Sequence, residues 1–224
     1  MNLYEAYKKC LSEHYVTVEN DGDYSLSRDG EKLTIYFEWS DGKIDWLNNF
    51  NFPAKPYRDM KNLWFAHRGF LKVWKSIEPY IAKDISDPTV KKIDIVGYSH
   101  GAAIAQLCFE YVKFNRPDVE VAGVGFGSPR VFWGFAKKTV KDRFKGFIVI
   151  RNGHDLITHL PPVLFGFRHI CKVRKVGRHW GLKDFIGCVK KVGLKAAMKK
   201  HAHIGCIKDH YQDRYLEALR EVSE

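Results

Sequence analysis

Residues 92–101, Lys-Ile-Asp-Ile-Val-Gly-Tyr-Ser-His-Gly, constrain the fold more than any other stretch of the chain. The run 92–96 is short and apolar, the pattern of a strand. From His100 the sequence Gly-Ala-Ala-Ile-Ala-Gln-Leu opens a helix with small residues. Between strand and helix lie only Gly97-Tyr98-Ser99-His100-Gly101, so the chain must reverse in one tight turn with Ser99 at its apex. Side chains at positions 97 and 101 would collide with the neighbouring strand and helix, and Ala102 and Ala103 extend that close packing. A turn of this kind strains the serine backbone and lifts its Oγ clear of the sheet. The helix N-terminus favours negative charge there, and the backbone N–H of His100 can donate to an oxyanion. The competing reading is a glycine-rich turn with an idle serine.

The remainder of the chain repeats the alternation. A helix is expected over 3–15, a hairpin from 24–26 and 33–37 around the Ser-Arg-Asp-Gly-Glu turn, and an amphipathic helix over 69–81. Strands are expected at 92–96, 119–126 and 146–150, with helices over 100–114 and 132–144. Strand–helix–strand–helix–strand after a β-rich start implies an α/β class with a mostly parallel central sheet flanked by helices. At 224 residues and 45% hydrophobic content, the chain fits one domain, 1–224, better than two. No internal repeat or linker is visible.

A serine hydroxyl needs a general base, and the base needs an acid to orient it. The acid is expected just after a later strand. Asp155 meets this condition in Gly-Phe-Ile-Val-Ile-Arg-Asn-Gly-His-Asp; Asp142 and Asp184 compete but fall in charged helical stretches. For the base, His201, His203 and His210 compete near the C-terminus. His210 opens the terminal helix, whereas His201 and His203 continue a lysine-rich run.

These segments together resemble the class 3 (fungal-lipase-like) α/β-hydrolases. The resemblance runs from about residue 33 to 219, with a gap in the basic segment. Thr34–Phe52 is similar to that family's strand, oxyanion loop and lid. Ala66-His67-Arg68-Gly69-Phe70 resembles its helix start, Ile95–Leu107 its serine turn, and Gly125-Phe126-Gly127-Ser128-Pro129-Arg130-Val131 its strand end. Asn152-Gly153-His154-Asp155 followed by His159-Leu160-Pro161-Pro162 resembles its acid loop, and Asp209-His210 with Tyr215 its histidine site. The resemblance implies the α/β-hydrolase fold, a triad of Ser99, Asp155 and His210, and an oxyanion hole from Ser40 and the His100 N–H. It implies a carboxylic ester hydrolase acting on lipid esters, with a lid and substrate-binding residues among Trp39, Trp46, Leu47 and Tyr98. A thioesterase or acyltransferase would use the same triad, and an idle lipid-binding protein could keep the same fold. Four departures bear on the substrate: Tyr98 where the family usually has His, His100 where Leu is common, Ala102 where Gly is common, and Glu38-Trp39 before Ser40 where Arg-Gly is usual.

The net charge of +11 is concentrated. Residues 172–201 hold ten Lys or Arg and one Asp, so they carry +9 of it. A basic amphipathic helix is expected within about 172–205 and could lie on an anionic membrane; the plainer reading is a solvated face over core. No nucleic-acid module accompanies these lysines, so nucleic acid is not expected as a partner. The lid segment, 42–49, could equally be an ordinary surface helix. His201, His203, Cys206 and His210 match no metal-site spacing, so no metal is expected, and no phosphate-cradling loop implies a cofactor. The first residues lack a signal-peptide pattern and the five cysteines are odd in number, which reads as reduced thiols in a cytoplasmic protein.

Overall fold

The computed structural model describes residues 1–38, 54–57, 64–134, 138–177, 190 and 207–223. Its strands in chain order are β1 (Val16–Val18), β2 (Gly22–Asp29), β3 (Lys32–Phe37), β4 (Ala54–Tyr57), β5 (Trp64–His67), β6 (Lys92–Tyr98), β7 (Glu120–Phe126), β8 (Phe132–Trp133), β9 (Phe147–Asn152), β10 (Phe167–Arg168) and β11 (Lys172–Val176). The helices are α1 (Leu3–Ser12), α2 (Arg68–Ser86), α3 (His100–Asn115), α4 (Lys138–Arg143) and α5 (Gln212–Glu221).

Seven strands form the main sheet in the order β1-β2-β3-β6-β7-β9-β11. From β3 onward every neighbouring pair is parallel, and the antiparallel β1 and β2 extend one edge. The strands that looked uniformly apolar are covered on both faces, as a parallel sheet requires. Their side chains divide by the period of two. Ile93 and Ile95 of β6, Leu33, Ile35 and Phe37 of β3, and Phe147 and Val149 of β9 face a core built with Trp74, Ile77 and Ile81 of α2 and Leu107 and Phe109 of α3. Val96 and Tyr98 of β6, Val124 and Phe126 of β7, and Ile150 of β9 face the opposite core, closed by Tyr7 and Cys10 of α1 and Tyr215 and Leu219 of α5. The first and last helices therefore share one face. Four short strands, β10-β8-β5-β4, make a second, antiparallel sheet.

Two expectations need correction. The stretch 132–144 is not one helix: Phe132 and Trp133 pair with Arg168 and Phe167, and the helix spans only Lys138–Arg143. Phe132 is buried and Trp133 exposed, a strand-like alternation, and Gly134 at φ +92° turns the chain out of it. The basic stretch does not begin as a helix either. Lys172–Val176 is the edge strand β11, with Val173 and Val176 turned into the two cores and Lys172, Arg174 and Lys175 exposed. Charged side chains on an edge strand also discourage pairing with another chain. Of the remaining basic segment, only Lys190 lies within the described residues.

Candidate active site

The site begins with the turn between β6 and α3. Ser99 has φ +54° and ψ −119°, a conformation few non-glycine residues adopt, and its N–H donates to the Phe126 carbonyl at 2.8 Å. The flanking glycines are obligatory. A Cβ on Gly97 would lie 2.4 Å from the Gly101 oxygen, and one on Gly101 would lie 2.2 Å from the Phe37 oxygen. The turn is thus clamped between the end of β3 and the first turn of α3, and the strain at Ser99 is held by packing on both sides.

Asp155 and His210 arrive from distant parts of the chain. Asp155 follows β9 and is fully buried. Its Oδ1 accepts the Ile157 N–H at 2.9 Å, and its Oδ2 accepts the Tyr215 hydroxyl at 2.6 Å. The same Oδ2 lies 2.8 Å from His210 Nδ1, and His210 Nε2 lies 2.7 Å from Ser99 Oγ. With Nδ1–H donating to Asp155, Nε2 is left as the acceptor for the serine proton. His210 ends a short 3-10 turn, Ile207–His210, just ahead of α5. That turn is tied to the acid loop: the His154 N–H donates to Asp209 Oδ2 at 2.7 Å, and Asn152 Nδ2 donates to the Asp209 carbonyl at 3.0 Å. Gly127, at φ +60°, leaves room for both; a Cβ there would lie 2.8 Å from His210 Cε1 and 3.1 Å from Asp155 Oδ2.

Tyr98, expected among substrate-lining residues, is 1% exposed and lies under the histidine instead. Its hydroxyl donates to the His210 carbonyl, and its ring lies nearly parallel to the imidazole with centroids 5.3 Å apart. The period of two explains this: residue 98 points to the core face holding Tyr7 and Tyr215, not away from the sheet. His100 is partly buried on the other side, its ring 5.5 Å from Phe70, which in turn lies 4.5 Å from His67. Burial, reinforced by His67, pushes the His100 imidazole down to about 4, so it is neutral at pH 7. Trp39, Ser40, Trp46 and Leu47, expected in the oxyanion hole and lid, lie outside the described residues, as do the rival bases His201 and His203. Asp142 sits on α4, exposed and paired with Lys145. Sequence reasoning assigned no role to Tyr215, Asp209 or Gly127. Each occurs in a quoted motif, but the function of each depends on a partner far along the chain.

A strained serine turn at the carboxyl end of a parallel sheet, joined through histidine to a buried aspartate, defines the α/β-hydrolase class. The family described as Lipase (class 3) matches residues 34–165, and the chain belongs to that family. Among relatives, a secreted mono- and diacylglycerol lipase of Fusarium solani is 30% identical over 130 residues, covering 56% of this chain and 38% of that protein. A secreted mono- and diacylglycerol lipase of Malassezia globosa is 32% identical over 108 residues, covering 45% and 34%. The match thus spans less than two-fifths of either relative's length. Among solved structures, lipase II from Rhizopus niveus aligns with a TM-score of 0.65 at 21% identity, covering 89% of this chain and 79% of that one. The expectation of a cytoplasmic protein is overturned, because these relatives are named as secreted.

Proposed function

We propose that this chain is a serine hydrolase that cleaves carboxylic esters of lipids, with acylglycerols as the substrate class, through an acyl-enzyme on Ser99. One observation carries the reading: the unbroken chain from Ser99 Oγ through His210 to buried Asp155, with links of 2.7 and 2.8 Å. In this mechanism His210 Nε2 takes the hydroxyl proton as Ser99 Oγ attacks the ester carbonyl, and the imidazolium that forms faces a carboxylate already held by Tyr215 and Ile157. The proton then passes to the leaving alkoxide, and a water activated by the same imidazole releases the acid. The oxyanion is received by the N–H of His100 at the start of α3 and by Ser40. Trp39, Trp46 and Leu47 serve the lid and acyl contacts, and the basic stretch faces an anionic lipid surface. The names of the relatives, mono- and diacylglycerol lipases, support the substrate class.

The test is hydrolysis of p-nitrophenyl esters of short and long acyl chains, alongside mono- and diacylglycerol emulsions. Wild-type protein is expected to turn over the esters, and Ser99→Ala to lose that activity with its melting temperature intact. Wild-type turnover of thioesters alone would move the reading to a thioesterase. No turnover of any ester would leave an idle lipid-binding protein.

A further inference from the structure

Beyond the acid loop lies a group of cations that the hydrolytic chemistry does not use. Arg130 and Arg151 contact residues 159–161, His169 contacts Thr158, and Arg168 lies near enough to Arg130 to act on its charge. Arg130 Nη1 donates to the Pro161 carbonyl at 2.8 Å and also to the His159 carbonyl, while Arg151 Nη1 lies 3.3 Å from His159 Nε2. Two guanidinium groups are thereby brought to the backbone and the side chain of one residue. His169 Nε2 contacts the Thr158 carbonyl at 2.8 Å, on the preceding residue.

Among the described residues, no carboxylate lies within ion-pair distance of Arg130 or Arg151. The nearest acid on the loop, Asp155, is occupied by His210, Tyr215 and Ile157. Burial, then Arg151 and Arg168, hold the Arg130 guanidinium below its ordinary range. His159 is lowered by burial and by Arg151 and Arg130, against a smaller opposing pull from Asp155. Half-buried arginines without counter-charge are costly to a fold. Arg151 also holds a donor in reserve: among the described residues its buried Nε has no hydrogen-bond partner, while Arg130 donates to the loop backbone through Nη1.

We propose that Arg130 and Arg151 form a binding site for a phosphate-type oxyanion, supplied as a phospholipid headgroup or as free phosphate. A planar carboxylate offers one edge and satisfies one guanidinium fork. A tetrahedral oxyanion offers oxygens to two forks at once, matching two guanidinium groups gathered at one histidine. The site lies on the loop that carries Asp155 but makes no bond to Ser99 or His210, so it rests on the cation cluster and not on the hydrolase reading.

The test is calorimetric titration of the full chain with inorganic phosphate at low salt, with flotation on phosphatidylcholine vesicles with and without phosphatidic acid. Wild-type protein is expected to bind phosphate saturably. Arg151→Gln should weaken binding about tenfold, the loss of one charge-assisted pair, and Arg174→Gln on exposed β11 should leave it unchanged. Arg151→Lys, which keeps the charge but not the fork, should lie between. Parallel loss of phosphatidic-acid vesicle binding in Arg151→Gln identifies a headgroup site; loss of phosphate binding alone identifies a site for the free ion. Absence of saturable phosphate binding in the wild type, or equal affinity in Arg151→Gln and Arg174→Gln, overturns the proposal. Ester turnover is unaffected by either result, so the two readings fail separately.

Discussion

Each residue of the site answers to a different demand, and the demands differ in how far along the chain they reach. Ser99 is legible because everything that constrains it is local: strand before, helix after, glycine on either side. Asp155 and His210 are half legible, since position after a strand and near the terminal helix narrows each to three candidates, and motif resemblance selects one. Tyr98 was misread because its neighbour in space, His210, is 112 residues away. His210→Ala should lower kcat by about three orders of magnitude or more, since an unactivated serine hydroxyl is a poor nucleophile. His201→Ala and His203→Ala should have little effect; the reverse pattern would name another base. Asp155→Asn should cost a comparable factor, because an amide facing Nδ1 no longer selects the tautomer with Nε2 free. Full activity in that variant, measured on the same soluble ester, would point to a different acid.

At the scale of elements, the serine turn is a junction of β3, β6 and α3. Gly101→Ala would drive a methyl group against the Phe37 and Glu38 carbonyls at 2.2 and 2.3 Å, and backbone oxygens cannot swing aside. A loss of about 3 kcal/mol or more is expected from urea unfolding. Gly134→Ala is the control. Its φ of +92° makes alanine strained, yet nothing lies within 4 Å of the added Cβ, so the cost should be only about 1 kcal/mol. Equal costs would show that backbone strain, not the clamp, dictates glycine at 101. Elements buried on both faces were legible from composition alone, and β6, β7 and β9 lie within a residue or two of their expected places. The errors fell where short segments join the second sheet or an edge. Phe132-Trp133 and Lys172–Val176 are too short to display a period, and their pairing partners decide their conformation.

For the whole molecule, buried histidines make stability fall as the pH drops. Burial pushes His67 down to about 4, and His169 likewise. Above the ordinary value of 6.5, folded and unfolded chains both hold these rings neutral, and stability is at its full level. Between 6.5 and about 4, the unfolded chain takes up protons that the folded chain refuses, so stability falls as pH falls. His67 alone, 3% exposed, should account for on the order of 3 kcal/mol. Urea unfolding at pH 7, 5.5 and 4.5 should trace that decline, and His67→Asn, which can still cap α2, should flatten it. An unchanged slope would place the acid sensitivity elsewhere. The placement of His210 also has a consequence for timing. Ser99 and His210 are 111 residues apart. At roughly 5–20 residues per second of synthesis, the nucleophile leaves the ribosome on the order of ten seconds before its base. Throughout that interval the growing chain holds a serine with nothing to deprotonate it, and Asp155 still awaits the hydroxyl of Tyr215. The serine, histidine and aspartate are therefore linked only once α5 docks beside α1 and brings the Tyr215 hydroxyl to Asp155.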